Sequence, residues 1–367
     1  MLKDTSSTAW KSSFKVGWPG DVGLPRVAWR HWGFTLLLAA AGAFPPADAG
    51  EIMDAVKTRG ELRCGVSEGI PGFSEQDADG QWRGLDADFC RAMAAAVLGD
   101  GGKVTFKPLK ASARFPALQA RQIDLLARNT TWTMTREILL NVQFPAVLFY
   151  DAQGFLVPRS AGIASATALN GATLCVEKGT THTRNLEDYF GRRGLSVKPL
   201  VIDSTREVAD AFFAGRCRAY TADVAHLAAV RARAPGGPDA FAILPERISK
   251  EPLAPVVLNG DQEWIGVTRW VLYGLLMAEE IGVTRENLEH PSPDATGLLF
   301  EGANQKIDLI GKILGLTPGW MPRAVKAVGN YGEMYERHLG SGSPLGIERG
   351  LNRLWNQGGL MYAPPLD

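Results

Sequence analysis

RFPALQARQIDLLARNTTWTMTRE (114–137) decides how the chain folds. It reads as a helix over "ARFPALQARQ", a short apolar strand over "IDLLA", and a second helix from Met134 with Thr133 as its cap. Helix, apolar strand and helix in succession are the repeat of a covered, parallel sheet. Residues 128–137 hold four threonines, one asparagine, one tryptophan and two arginines. An apolar strand that opens into hydroxyls and a cation is the rim of a site for an anion.

Outward from this stretch the same alternation continues. "ELRCGV" (61–66) and "KVTFKPL" (103–109) read as strands, and "LDADFCRAMAAAVLG" (85–99) as the helix between them. A second cycle follows, with strands at "ATLCV" (172–176), "VKPLVI" (197–202), "CRAYT" (217–221) and "FAILP" (241–245). Its helices start near Thr183, cover "TREVADAFFAG" (205–215), and run from Asp223 to Arg233. "YDAQGFLVP" (150–158) and "PERISKEPLAP" (245–255) bracket this cycle as extended, proline-punctuated segments, which makes it an insertion entered and left through a two-strand hinge. "PVVLNGDQEWIGVTRWVLYGLLMAEE" (255–280) returns strand and helix to the first lobe. Helices are expected beyond it at "ANQKIDLIGKILGL" (303–316), "PRAVKAVGNYGEMYERHLG" (322–340) and "GIERGLNRLWNQGG" (346–359), carrying core stripes and no catalytic constellation. The domains are then 50–153 for the first part of lobe 1, 154–250 for lobe 2, 251–285 for the return to lobe 1, and 286–367 for a helical extension packed on lobe 1.

Composition narrows the partner. The 367 residues are 46% apolar and 21% charged with zero formal net charge, and no run of lysine or arginine marks a nucleic-acid surface. Lys3, Lys11, Lys15, Arg26 and Arg30 precede the apolar "WGFTLLLAAAGAF" (32–44), and Ala47 and Ala49 follow. That order is a signal peptide over 1–49, cleaved near Gly50, because a bilayer span needs about 20 apolar residues. Export to an oxidising compartment turns Cys64, Cys90, Cys175 and Cys217 toward two disulfides. They form no CxxC pair and lack flanking histidines at ligand spacing, so no metal is expected. Of three connectivities, 64 with 90 and 175 with 217 places one bridge in each lobe; four free thiols are the alternative.

The chain resembles the type II periplasmic substrate-binding proteins of ABC transporters for polar amino acids, and more narrowly their general L-amino-acid-binding group. The resemblance rests on "GVSEGIPGF" (65–73), "GLDADFCRAMAAAVLG" (84–99), the opening stretch, "EKGTTHTRNL" (177–186) and "GRCRAYTADVAHL" (215–227). The cysteines and the tail "AVKAVGNYGEMYERHLGSGSPLGIERGLNRLWNQGGLMYAPP" (324–365) carry the narrower match. It implies a two-lobe α/β fold, each lobe a mainly parallel sheet flanked by helices.

The resemblance also implies a site for a zwitterion, which leaves water only if the site supplies a cation for its carboxylate and an anion for its ammonium. Arg136 matches the carboxylate-gripping arginine, with Thr131, Asn129 and Thr181 as polar companions and free backbone N–H groups at the start of its helix. Asp223 matches the ammonium's carboxylate and is also placed to cap a helix. Arg114 matches a residue that reaches an acidic side chain, favouring glutamate, aspartate or their amides, and Phe73 and Trp132 match the wall. Glu68 and His182 fall near the cleft without a role, and Arg128 is unexplained. The function implied is capture by hinge closure and delivery to a membrane permease by a monomer without cofactor. The alternatives are an enzyme on the same fold, of dehydratase or lytic transglycosylase type, and a ligand-sensing module of a receptor.

Overall fold

A computed structural model describes residues 50–290 and 303–365. The signal peptide expected over 1–49 lies outside the described residues. Two mixed sheets organise the chain. The first has the order β4 (Val104–Leu109), β1 (Leu62–Ser67), β5 (Leu125–Thr131), β13 (Glu251–Leu258) and β6 (Val142–Gln143), with β7 (Phe149–Asp151) also on β13. The second has the order β10 (Lys198–Ile202), β9 (Thr173–Glu177), β11 (Ala219–Asp223), β8 (Gln153–Pro158) and β12 (Phe241–Ile243). A hairpin of β2 (Glu75–Gln76) and β3 (Trp82–Arg83) stands apart.

Within each sheet the strands joined by helices are parallel, as the alternation requires: β4, β1 and β5 in one, β10, β9 and β11 in the other. The remaining strands are antiparallel, so the sheets are mixed rather than mainly parallel. The reason is the hinge: a chain that leaves one sheet and re-enters it later runs back along its neighbour. The crossing strands lie side by side, Glu251 opposite Asp151, with Gln153 donating to the Ser249 hydroxyl at 3.1 Å.

Helices cover both sheets. The first packs α1 (Glu51–Arg59), α2 (Leu85–Leu98), α3 (Arg114–Gln119), α4 (Met134–Leu139) and α8 (Gln262–Glu280), and the second α5 (His182–Gly191), α6 (Thr205–Phe213) and α7 (Val224–Ala232). The alanine-rich α2 is buried on nearly every side, because small side chains let neighbouring helices approach from several directions. α9 (Ala303–Ile313), α10 (Trp320–Val328) and α11 (Tyr331–His338) follow among the described residues, and α10 and α11 both lie on α2 and α8. Trp320, Met321, Tyr331 and Tyr335 thereby join the core of Trp264, Phe89 and Phe149.

Cys64 is bonded to Cys90 and Cys175 to Cys217, the favoured pairing, one bridge within each sheet unit. Among the described residues no helix is long and apolar enough to cross a membrane.

Two expectations for the tail fail. The single helix over 322–340 is two, because Gly329 takes φ 85° and Asn330 restarts the chain with a capping box to Glu333. The helix over 346–359 is replaced by two 3-10 turns, Gly350–Asn352 and Trp355–Gln357. Gly346, Gly350 and Gly358 all have positive φ, and the Asn352 amide bonds both the N–H (2.6 Å) and the carbonyl (3.0 Å) of hinge residue Tyr150. Glycine's backbone freedom and these tertiary bonds outweigh the helical spacing of Leu351 and Leu354.

Candidate functional site

The strand of the opening stretch runs on through Thr131, four residues past its apolar core. Asn129 sits within it at φ 32°, a left-handed conformation that asparagine tolerates better than most residues. Its N–H donates to Asp86 at 3.0 Å and its side-chain amide reaches Asp223 at 3.3 Å. Burial pushes the Asp86 carboxyl up to about 7, against that N–H.

Thr133 caps α4 as expected, accepting from the N–H of Arg136 at 3.1 Å. That bond takes one of the first-turn N–H groups expected to face an anion, and the guanidinium of Arg136 lines the cavity. It donates to the Thr131 carbonyl (2.8 Å) and the Gly179 carbonyl (3.4 Å) and lies over the Phe115 ring. Burial draws the Arg136 pKa down to about 10, which leaves it charged at neutral pH. Arg114 also donates to Gly179, at 3.2 Å, and burial together with the Arg136 and Arg128 charges lowers its pKa.

Gly179 marks the seam between the sheets. At φ 80°, a Cβ on it would stand 2.8 Å from the Ser112 backbone, so only glycine allows this approach.

Across the seam, β9, α5 and β11 supply the opposite charge. Asp223 ends β11, where it meets the His182 ring Nε2 at 3.0 Å. Burial alone would raise its carboxyl, but the charge and hydrogen bond of His182, with His226 and the Asn129 amide, hold it below the ordinary value. The same pair holds His182 above its ordinary value against burial. Burial keeps the neighbouring His226 down to about 4. Asp223 precedes α7 but makes no side-chain capping bond, and its carboxylate lines the cavity.

Thr131 and Thr181, expected at a ligand carboxylate, instead donate to one oxygen of Glu251 at 2.5 and 3.1 Å. Asn185 and Ser249 donate to its other oxygen at 2.8 and 2.6 Å. Arg128, buried at 1% exposure, donates to the Leu109 carbonyl at 2.9 Å and to Glu177 at 2.8 Å. Burial alone would raise the Glu177 carboxyl, but the Arg128 charge, together with His226, the Thr205 hydroxyl and Arg114, holds it below the usual carboxylate value.

One cavity of about 10 Å³ is lined by Arg114, Arg128, Asn129, Thr131, Arg136 and Glu177; Thr181, His182 and Asp223 close it. Arg114 Nε, Asn129 Oδ1 and His182 Nδ1 are buried there without a partner among the described residues. One donor atom each from His182, Asp223 and Glu251 lie within 4.8 Å of one another, close enough for a metal ion. Three arginines share the cavity and Glu251 already accepts four donors, so the charge suits a ligand with an ammonium and a carboxylate better than a metal cation.

Two expected wall residues stand elsewhere. Phe73 is in the core, edge-on to Phe149 at 5.3 Å, because the bridge between Ile70 and Ser74 turns it inward. Trp132 is at the surface, stacked on Phe144 at 5.9 Å and donating to Glu137. Glu68 does not line the cavity. Sequence reasoning missed Glu177 and Glu251. The available signal was a carboxylate directly before "KGTT" and another at the start of the returning strand.

The family described as bacterial extracellular solute-binding proteins, family 3, matches residues 62–311. The general L-amino acid-binding periplasmic protein AapJ of Rhizobium johnstonii is 46% identical over 340 residues, 90% of this chain and 98% of that protein. The glutamate/glutamine/aspartate/asparagine-binding protein BztA of Rhodobacter capsulatus is 45% identical over 334 residues, 89% and 97% of the two chains. Among solved structures, an ABC transporter periplasmic binding protein from Brucella ovis with glutathione bound superposes with a TM-score of 0.82 at 45% identity. It covers 86% of this chain and 99% of that one.

Proposed function

Because this chain belongs to the bacterial extracellular solute-binding proteins of family 3, we propose that it captures a free L-amino acid between its lobes and hands it to the permease of an ABC transporter. The observation that carries this is the meeting of opposite charges on one enclosed cavity. Arg114 and Arg136 enter from the first lobe and Asp223 from the second, with Glu251 of the hinge buried close behind Asp223. The ligand carboxylate takes the remaining N–H groups of Arg136. Its ammonium sits at Asp223, with the threonines held by Glu251 rather than holding the ligand. Excess positive charge from Arg114 favours glutamate, aspartate and their amides, in keeping with the names of AapJ and BztA.

Neither lobe alone satisfies both ends of the zwitterion, so binding and closure are one equilibrium. Charge-assisted hydrogen bonds of about 1.5–3 kcal/mol each, less the cost of closure, fit dissociation constants from about micromolar to nanomolar. Function of this kind places the mature chain outside the cytoplasm, released from its N-terminal 49 residues. A thermal-shift screen of the twenty amino acids tests the reading, since a ligand of the folded state raises the melting temperature. Stabilisation by glutamate, aspartate, glutamine or asparagine is expected, and no shift with any amino acid refutes it. Recovery of the ligand unaltered after long incubation separates capture from enzymatic turnover.

A further inference from the structure

Arg128 and Glu177 belong to different lobes, three residues before Thr131 and two before Gly179, and both line the cavity. Their mutual bond uses Nη2 of the arginine and Oε1 of the glutamate. Arg128 Nε is taken by Leu109 and Glu177 Oε1 is shared with Thr205 at 2.8 Å. Among the described residues, Arg128 Nη1 and Glu177 Oε2 make no hydrogen bond, yet neither is sealed in as a buried unpartnered atom. The pair thus keeps one free donor and one free acceptor on the lining of a cavity whose zwitterion-holding groups are Arg136 and Asp223.

We propose that Arg128 and Glu177 read the ligand's side-chain end, and that the group they fit is a carboxamide. This rests on the amino-acid reading above and names the side chain it selects. An amide oxygen accepts from Arg128 Nη1 while the amide NH2 donates to Glu177 Oε2, so both free valences are used and no charge is added. A side-chain carboxylate satisfies the arginine but faces Glu177 with a second negative charge. It depends on Arg114 to offset that repulsion. A site built of paired donor and acceptor rejects an analogue lacking either one, because a buried polar group is then left unmatched.

Two calorimetric comparisons test this, one of them on the unaltered protein. The γ-methyl ester of L-glutamate keeps the acceptor carbonyl of glutamine and lacks its NH2. Wild-type protein is expected to bind it at least about tenfold more weakly than L-glutamine, the loss of one hydrogen bond to a charged group. In Glu177→Gln the repulsive charge becomes a donor, and the ratio of glutamate to glutamine affinity is expected to rise at least about tenfold, for the same reason. Equal binding of ester and amide by the wild type overturns the proposal, as does an unchanged ratio in Glu177→Gln, where both affinities fall together because the pair is only a strut. A wild-type protein that binds alanine but neither glutamine nor glutamate defeats the selector and leaves the amino-acid reading standing. One that binds no amino acid defeats both.

Discussion

The two walls of the cleft carry opposite charge. The first lobe presents Arg114, Arg128 and Arg136, and the second presents Glu177 and Asp223, with Glu251 buried behind them at the hinge. Burying any of these alone costs several kcal/mol, and the walls show how far each charge has been answered. Arg128 has Glu177 and Asp223 has His182, whereas Arg114 has only a carbonyl and a lowered pKa. The difference teaches where a ligand contributes: at the cations that closure alone leaves short of an anion.

The strongest way to break the comparison is Arg136→Ala, which removes the cation best placed for the ligand carboxylate. Two charge-assisted bonds at about 1.5–3 kcal/mol each predict a loss of at least about 100-fold in affinity, by calorimetry, with an unchanged circular dichroism spectrum. Wild-type affinity would place the carboxylate elsewhere. Arg114→Ala sharpens it, since Arg114 is the excess charge. Glutamate binding should fall about tenfold more than alanine binding, and equal losses would assign Arg114 to packing over Phe115.

The smallest effect concerns the hinge. Burial and the Asp223 charge push Asp151 up to about 8, and its carboxylate accepts from Ala225 at 3.0 Å at the start of α7. A carboxyl with a raised folded pKa adds stability below its unfolded pKa near 4 that is lost as pH rises toward 8. Ligand-free protein should therefore melt lower at pH 8.5 than at pH 5, and Asp151→Asn should shrink that drop by at least about 3 °C. Identical pH profiles would show that Asp151 stays ionised.

Local physics was legible. Apolar periodicity located the strands that build both sheets, Thr133 followed from cap chemistry, and one disulfide per lobe followed from the lobe order. Of the candidate site, Arg136, Arg114, Thr131, Thr181, Asn129 and Asp223 do meet in one cavity. Phe73 does not, because the choice between core and cleft depends on a turn that no spacing reveals. The final predicted helix was lost to glycines and to the Asn352 bonds with Tyr150, which join residues 202 apart in sequence.

From its sequence alone the chain determined which segments are strands and helices, that an inserted unit hangs on two extended crossings, and which residue types could meet a zwitterion. Those properties are set by neighbours within a few positions. Only the tertiary structure decided which charges face each other: Arg128 against Glu177, His182 against Asp223, and both threonines on Glu251. Such pairings form across a seam where two lobes close, and electrostatic partnership there depends on distance in space rather than along the chain.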